Sequence, residues 1–283
     1  MNSLTDAAVA TTPITAANLE TVMAVVSDAA YRDDASLVAA LTTDGLTQLD
    51  LTGNGTGTYI AGNAAFDAWT TVINDEPAAT IAFRGTDDIN YSLDGLSAYL
   101  GSTDATYWLD TEGYYHLLDQ GIDAFDAAVS ALGISQVYVT GHSLGGAAAQ
   151  AYMAEHPDTA ATDYTAVVFG SLGLSGGDGG WGTDARITAF ADASDFTNSI
   201  GTQTAGLTIT VETGTTSVSS GLDLATLLTD PASFLTTHSI ALFADDADRY
   251  DAAKAGIPST DVTTFITAKA DLNGLTLTVS PLA

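Results

Sequence analysis

Val137-Tyr138-Val139-Thr140-Gly141-His142-Ser143-Leu144-Gly145-Gly146-Ala147-Ala148-Ala149 decides the fold. An apolar run rich in β-branched residues stops at a glycine, and GAAAQAYMAEH, a strong helix sequence, follows at once. Between them Gly141 to Gly145 fits G-x-S-x-G, a motif that carries chemistry when a strand, a sharp turn and a helix surround it. The glycines two residues either side of Ser143 remove Cβ atoms where neighbouring segments crowd the turn. The serine is thereby expected in a strained conformation with its hydroxyl presented. A helix N-terminus behind it favours developing negative charge.

Outward from this stretch, short apolar runs alternate with helical patterns: ATIAFRG at 79–85, TAVVFG at 165–170 and RITAF at 186–190. The alternation predicts an α/β fold with a mostly parallel central sheet and helices on both faces, the chemistry gathering at the carboxyl ends of the strands. No repeat and no Pro-rich or charged linker divides the chain, so residues 1–283 read as a single domain. Residues 15–41 read as helical, with Leu19, Met23 and Val26 at helix spacing and Tyr31 closing the stripe. Thr47 to Ile60 alternates around a glycine-rich centre and reads as a hairpin.

Composition removes whole classes of function. With 283 residues and 46% of them apolar, the chain can bury a substantial core. Six Lys and Arg against 35 Asp and Glu give a formal charge of −29, a field that repels nucleic acid and anionic lipid headgroups. The absence of cysteine excludes disulfides, thiolate metal sites and a cysteine nucleophile. No run approaches the roughly 18 apolar residues of a membrane span, and the chain reads as soluble. MNSLTDAAVATTP lacks the basic start and apolar block of a secretory signal, which leaves the cytoplasm, leaderless export or a signal already removed. The dispersed carboxylates read as a solvated surface whose self-repulsion is tolerated where salt screens it, since at seawater-like ionic strength the Debye length is about 4 Å. Melting in added NaCl tests this, and a melting temperature indifferent to salt would count against it.

A serine hydroxyl needs a base, and the chain has four histidines. His142 lies within the turn with its side chain expected to point away from Ser143, which suits packing. His156 ends the helix that Ser143 begins, roughly 20 Å off at 1.5 Å per residue. His116 precedes the nucleophile, whereas hydrolases built on this turn run Ser, acid, His in chain order. That leaves His238, in FLTTHSIALF, as the base. The acid should hang from a strand end between the two, and the loop after RITAF holds both Asp192 and Asp195. Asp195 is favoured because a loop acid needs a few residues to turn back; Asp192 is the reserve. For the oxyanion, the backbone N–H of Leu144 is one donor, and Thr86, after the strand that ends in FRG, is the second. Arg84 reads as a fastener of that loop. Beyond it, Ile89, Leu93, Leu96 and Leu100 form one stripe of an amphipathic helix over 88–100, which either covers an acyl groove as a lid or packs on the core.

FRGT at 83–86, GYY at 113–115, VYVTGHSLGGAAA at 137–149, VVFG at 167–170, the acid after RITAF and the late His238 together resemble the class 3 lipases. That family includes the filamentous-fungal triacylglycerol lipases and is related to bacterial lipases exported without an N-terminal leader. The resemblance spans roughly residues 20 to 245. It implies an α/β-hydrolase fold, Ser143, Asp195 and His238 as a triad, Thr86 and Leu144 at the oxyanion, a lid near 88–100, and a lipid or ester substrate reached outside the cell. It implies no required cofactor. Structural Ca²⁺ is compatible with the carboxylates, but no ligand spacing identifies a site. Two departures stand out. The segment after VVFG lacks the Pro-Arg sequence of the fungal members, and GGDGGWGTD at 176–184 is at best one degenerate calcium-binding repeat, which reads as a loop. The expected activity is triacylglycerol hydrolysis through an acyl-enzyme. The rivals are a phospholipase, a short-chain, aromatic-acid or polyester esterase on the same scaffold, and a binding protein that keeps the fold without turnover. Oligomeric state is not legible.

Overall fold

The computed structural model describes residues 13–31, 35–86, 104–177, 179–211, 237–255 and 275–279. Its strands are β1 (Thr47–Gln48), β2 (Thr58–Ala61), β3 (Ala64–Ile73), β4 (Glu76–Phe83), β5 (Gln136–His142), β6 (Asp163–Phe169), β7 (Asp184–Asp192), β8 (Ala205–Val211) and β9 (Leu275–Val279). They join in one sheet of order β1-β3-β4-β5-β6-β7-β8-β9, with β2 also on β3. From β4 to β8 the pairing is parallel, and antiparallel pairs close both ends.

The apolar runs are continuous because both faces of the sheet are covered. Ala79, Ile81, Phe83, Val137 and Val139 belong to one core, while Ala78, Ala82 and Tyr138, from the same two strands, belong to the other. Helices α3 (Thr111–His116), α4 (Asp119–Leu132) and α5 (Leu144–Glu155) supply the first core. Helices α1 (Leu19–Ala29), α2 (Ala35–Thr43) and α6 (Ile240–Ala255) supply the second. This is an α/β-hydrolase fold: a mostly parallel sheet sandwiched by helices, with β5 passing into α5 through Ser143.

The helical reading of 15–41 resolves into α1, which ends at Ala29, and α2, which starts at Ala35. Tyr31 does not close its stripe; its hydroxyl is drawn to His142 on β5, a tertiary bond that apolar periodicity does not register. Nor is 47–60 a hairpin, since β1 and β2 both pair with β3 rather than with each other. Leu49 N–H donates to the Ala68 carbonyl at 2.9 Å and Ala68 N–H donates to the Gly57 carbonyl at 2.9 Å, so 50–56 is looped out of one interrupted edge. The Asp50 carboxylate closes that loop, accepting from the amides of Thr52, Gly53, Asn54 and Gly55 at 2.7–3.2 Å. Those amides, Gly55's foremost, hold its pKa below the usual 3.8. The segment expected as a lid, with Ile89, Leu93, Leu96 and Leu100, lies outside the described residues. Among the described residues no helix is long and apolar enough to cross a membrane.

Candidate active site

Ser143 sits between β5 and α5 with φ 59° and ψ −126°, a region costly for any residue with a Cβ, by roughly 1–3 kcal/mol. The surroundings hold it there. Its N–H donates to the Phe169 carbonyl of β6 at 3.0 Å, and its carbonyl accepts from Gly146 and Leu172 at 3.0 and 3.3 Å. Glycine is demanded on both sides of the turn: a Cβ on Gly141 would strike the Gly145 carbonyl, and one on Gly145 would strike that of Phe83. The turn is thus wedged between its own helix and β4, and Ser143 is 4% exposed.

His238 stands just before α6 and meets Ser143 from 95 residues downstream, with Nε2 2.8 Å from Oγ. Its Nδ1 lies 2.6 Å from Asp195 Oδ2. A carboxylate only accepts, so Nδ1 carries the proton and Nε2 is left to accept from the serine hydroxyl. Asp195 caps the short 3₁₀ helix Phe196–Ser199. Its Oδ1 accepts from Thr197 N–H at 3.0 Å and Thr197 Oγ1 at 2.8 Å, which fixes the carboxylate and leaves Oδ2 for the imidazole. Asp192 is placed elsewhere: β7 runs two residues past RITAF to include it, and its Oδ1 accepts from Ser194 N–H at 2.7 Å.

Leu144 is the first residue of α5, where helical N–H groups have no partner within the helix. The loop after β4 lies against the turn, for a Cβ on Gly85 would come within 3.2 Å of Ser143 Cβ. Thr86 follows directly, its Oγ1 accepting from Trp108 Nε1 at 3.3 Å. The main chain fastens this loop, as Arg84 N–H donates to the Ala65 carbonyl at 2.9 Å and the Tyr114 hydroxyl donates to the Arg84 carbonyl at 2.5 Å.

The other histidines are engaged differently. His116 faces Asp119 at 3.2 Å on the surface, and His156 bonds Asp126. His142, expected merely to pack, is buried and hydrogen-bonded at both ring nitrogens. The sequence places Tyr31 only on a helix stripe and gives Thr197 no role. Thr197 carries a local signal, a hydroxyl two residues after an aspartate, whereas Tyr31 lies 111 residues from its partner. Among the described residues no three His, Asp or Glu side chains converge as a metal site.

No family model matches the chain, and no curated protein does either. Solved structures similar to it include a deletion mutant of Rhizomucor miehei lipase in its propeptide complex, at 16% identity over 69% of this chain and 67% of that one, with a TM-score of 0.44. A lipase from Rhizopus microsporus var. chinensis is 13% identical over 70% and 74%, with a TM-score of 0.43. Lipase II from Rhizopus niveus is 13% identical over 68% and 80%, with a TM-score of 0.45.

Proposed function

We propose that the chain is a serine carboxylic-ester hydrolase and that triacylglycerols are its substrates. One observation carries the chemistry: Asp195, His238 and Ser143 form an unbroken line of hydrogen bonds of 2.6 and 2.8 Å that ends on a strained turn at a helix N-terminus. The Ser143 oxygen attacks the ester carbonyl while His238 Nε2 takes its proton. Asp195 orients the ring and stabilises the imidazolium. The N–H groups of Leu144 and Thr86 receive the oxyanion, each donor worth about 2.7–4 kcal/mol in such sites. His238 then protonates the leaving alcohol, and water attacks the acyl-enzyme by the same route.

The lipid assignment is supported by the segments 83–86, 113–115, 137–149 and 167–170 and their resemblance to class 3 lipases. It is tested with p-nitrophenyl esters from acetate to palmitate beside an emulsified triacylglycerol. Rates that hold or rise with chain length, with fatty acid released from the emulsion, are expected. A steep preference for acetate with an untouched emulsion contradicts the lipid substrate and leaves the ester chemistry standing.

A further inference from the structure

Behind the line from Asp195 to Ser143 runs a second one. His142, the residue before the nucleophile, points its imidazole under His238, the two ring centroids 4.6 Å apart. Its Nε2 is 2.9 Å from the main-chain carbonyl oxygen of His238. A carbonyl only accepts, so Nε2 carries a proton. Nδ1 of the same ring is 2.9 Å from the Tyr31 hydroxyl, which also lies 3.1 Å from the His142 carbonyl. In the neutral ring Nδ1 must accept, so Tyr31 donates and thereby selects the tautomer that holds His238. Burial, and then the neighbouring imidazole, keep the pKa of His142 well below 6.5, so the neutral ring persists.

The base arrives from a distant part of the chain, and Asp195 fixes only its ring. Its backbone is tied to the residue next to the nucleophile. We infer that Tyr31 and His142 are positioning residues that set the distance between His238 and Ser143 by holding the His238 main chain. This rests on the reading of Ser143 and His238 as nucleophile and base.

The test measures kcat and KM on a p-nitrophenyl ester, with active sites counted by a fluorophosphonate, so that misfolded molecules drop out of kcat. His142→Leu removes the donor, Tyr31→Phe removes the tautomer-selecting hydroxyl, and His142→Gln restores an N–H donor. A displacement near 1 Å costs on the order of 100-fold. His142→Leu should therefore lose about that much kcat per titrated site at unchanged KM. Tyr31→Phe should lose about tenfold, and His142→Gln should recover most of the His142→Leu loss. A purely structural role lowers the melting temperature and the titrated fraction but leaves kcat per site intact, and that result overturns the inference. Should His142→Leu yield no folded protein, Tyr31→Phe decides: wild-type kcat per site overturns the proposal, and a loss that spares KM supports it. Wild-type protein that takes up no fluorophosphonate overturns the hydrolase reading and this inference with it, whereas labelling with unaffected variants overturns this inference alone.

Discussion

His238 and His156 each lean on an aspartate, and what lies at the second ring nitrogen separates them. In His238 that nitrogen faces the Ser143 hydroxyl at 2.8 Å, a group able to give up its proton. In His156 the Asp126 carboxylate sits 2.9 Å from Nε2, while Nδ1 lies 2.7 Å from the Tyr152 carbonyl. Both partners of His156 only accept, so the ring is served best as a double donor, the imidazolium. Burial opposes that charge, but the bonds to Asp126 and Tyr152 outweigh it and raise the pKa above 6.5. The ring also stacks on Tyr152, centroids 3.8 Å apart, which joins the end of α5 to α4 through Asp126. A histidine–aspartate pair is therefore a structural cation or a candidate base according to its third partner, and charge proximity alone does not tell the two apart.

Substitution at the two sites should break or sharpen that contrast. His238→Ala should lower kcat by on the order of 10⁶-fold, whereas His156→Gln should stay within about twofold of wild type, both read on a p-nitrophenyl ester. The paired aspartates should repeat the pattern more weakly: Asp195→Asn costs about 10⁴-fold in kcat and Asp126→Asn almost nothing. On stability the order reverses. His156→Gln should cost about 1 kcal/mol in urea unfolding at pH 6. Because the folded pKa of His156 is raised, its contribution is complete below the unfolded value of 6.5 and fades as pH climbs through the folded one. The stability gap between wild type and His156→Gln should accordingly narrow as pH rises above 6.5.

Asp251 provides the smallest effect and the opposite kind of charge. Burial, and then neighbouring Glu20, push its pKa up to about 8, where α6 meets α1. A carboxyl raised in the folded state stabilises most when protonated, so this contribution is lost as pH rises from about 4 to about 8. Asp251→Asn, still able to accept from Thr21, should flatten the fall in melting temperature over that interval.

The parts of the molecule that were legible in the sequence are those set by local rules. β4 to β7 stand out because strands buried on both faces read as unbroken apolar runs, and the turn at Ser143 because the G-x-S-x-G spacing fits within five residues, although the contact that demands glycine at 145 comes from Phe83 of β4. β3 escaped notice, since Asp67, Thr70 and Thr71 interrupt its apolar run, and what makes it a strand is pairing with β4 along its length. The alternation over 47–60 reads as a hairpin for the same reason, since nothing local shows that β3 recruits both β1 and β2. In the site, the G-x-S-x-G motif points to Ser143, the loop after RITAF to Asp195 and chain order to His238, and the structure brings their side chains into hydrogen-bonding contact. Of the two aspartates after RITAF the loop argument favours Asp195 over Asp192, and the structure agrees: Asp195 bonds His238, while β7 extends through Asp192. Tyr31 left no local trace, because the helix stripe it appeared to finish and the hydrogen bond it makes belong to different parts of the fold.

The central claim is that Ser143 is a nucleophile activated by His238. Incubation with a fluorophosphonate, followed by intact mass and peptide mapping, tests it most directly. One adduct per chain on Ser143, absent in Ser143→Ala and strongly slowed in His238→Ala, is the expected result. An unlabelled wild type, or an adduct that survives Ser143→Ala, would contradict it.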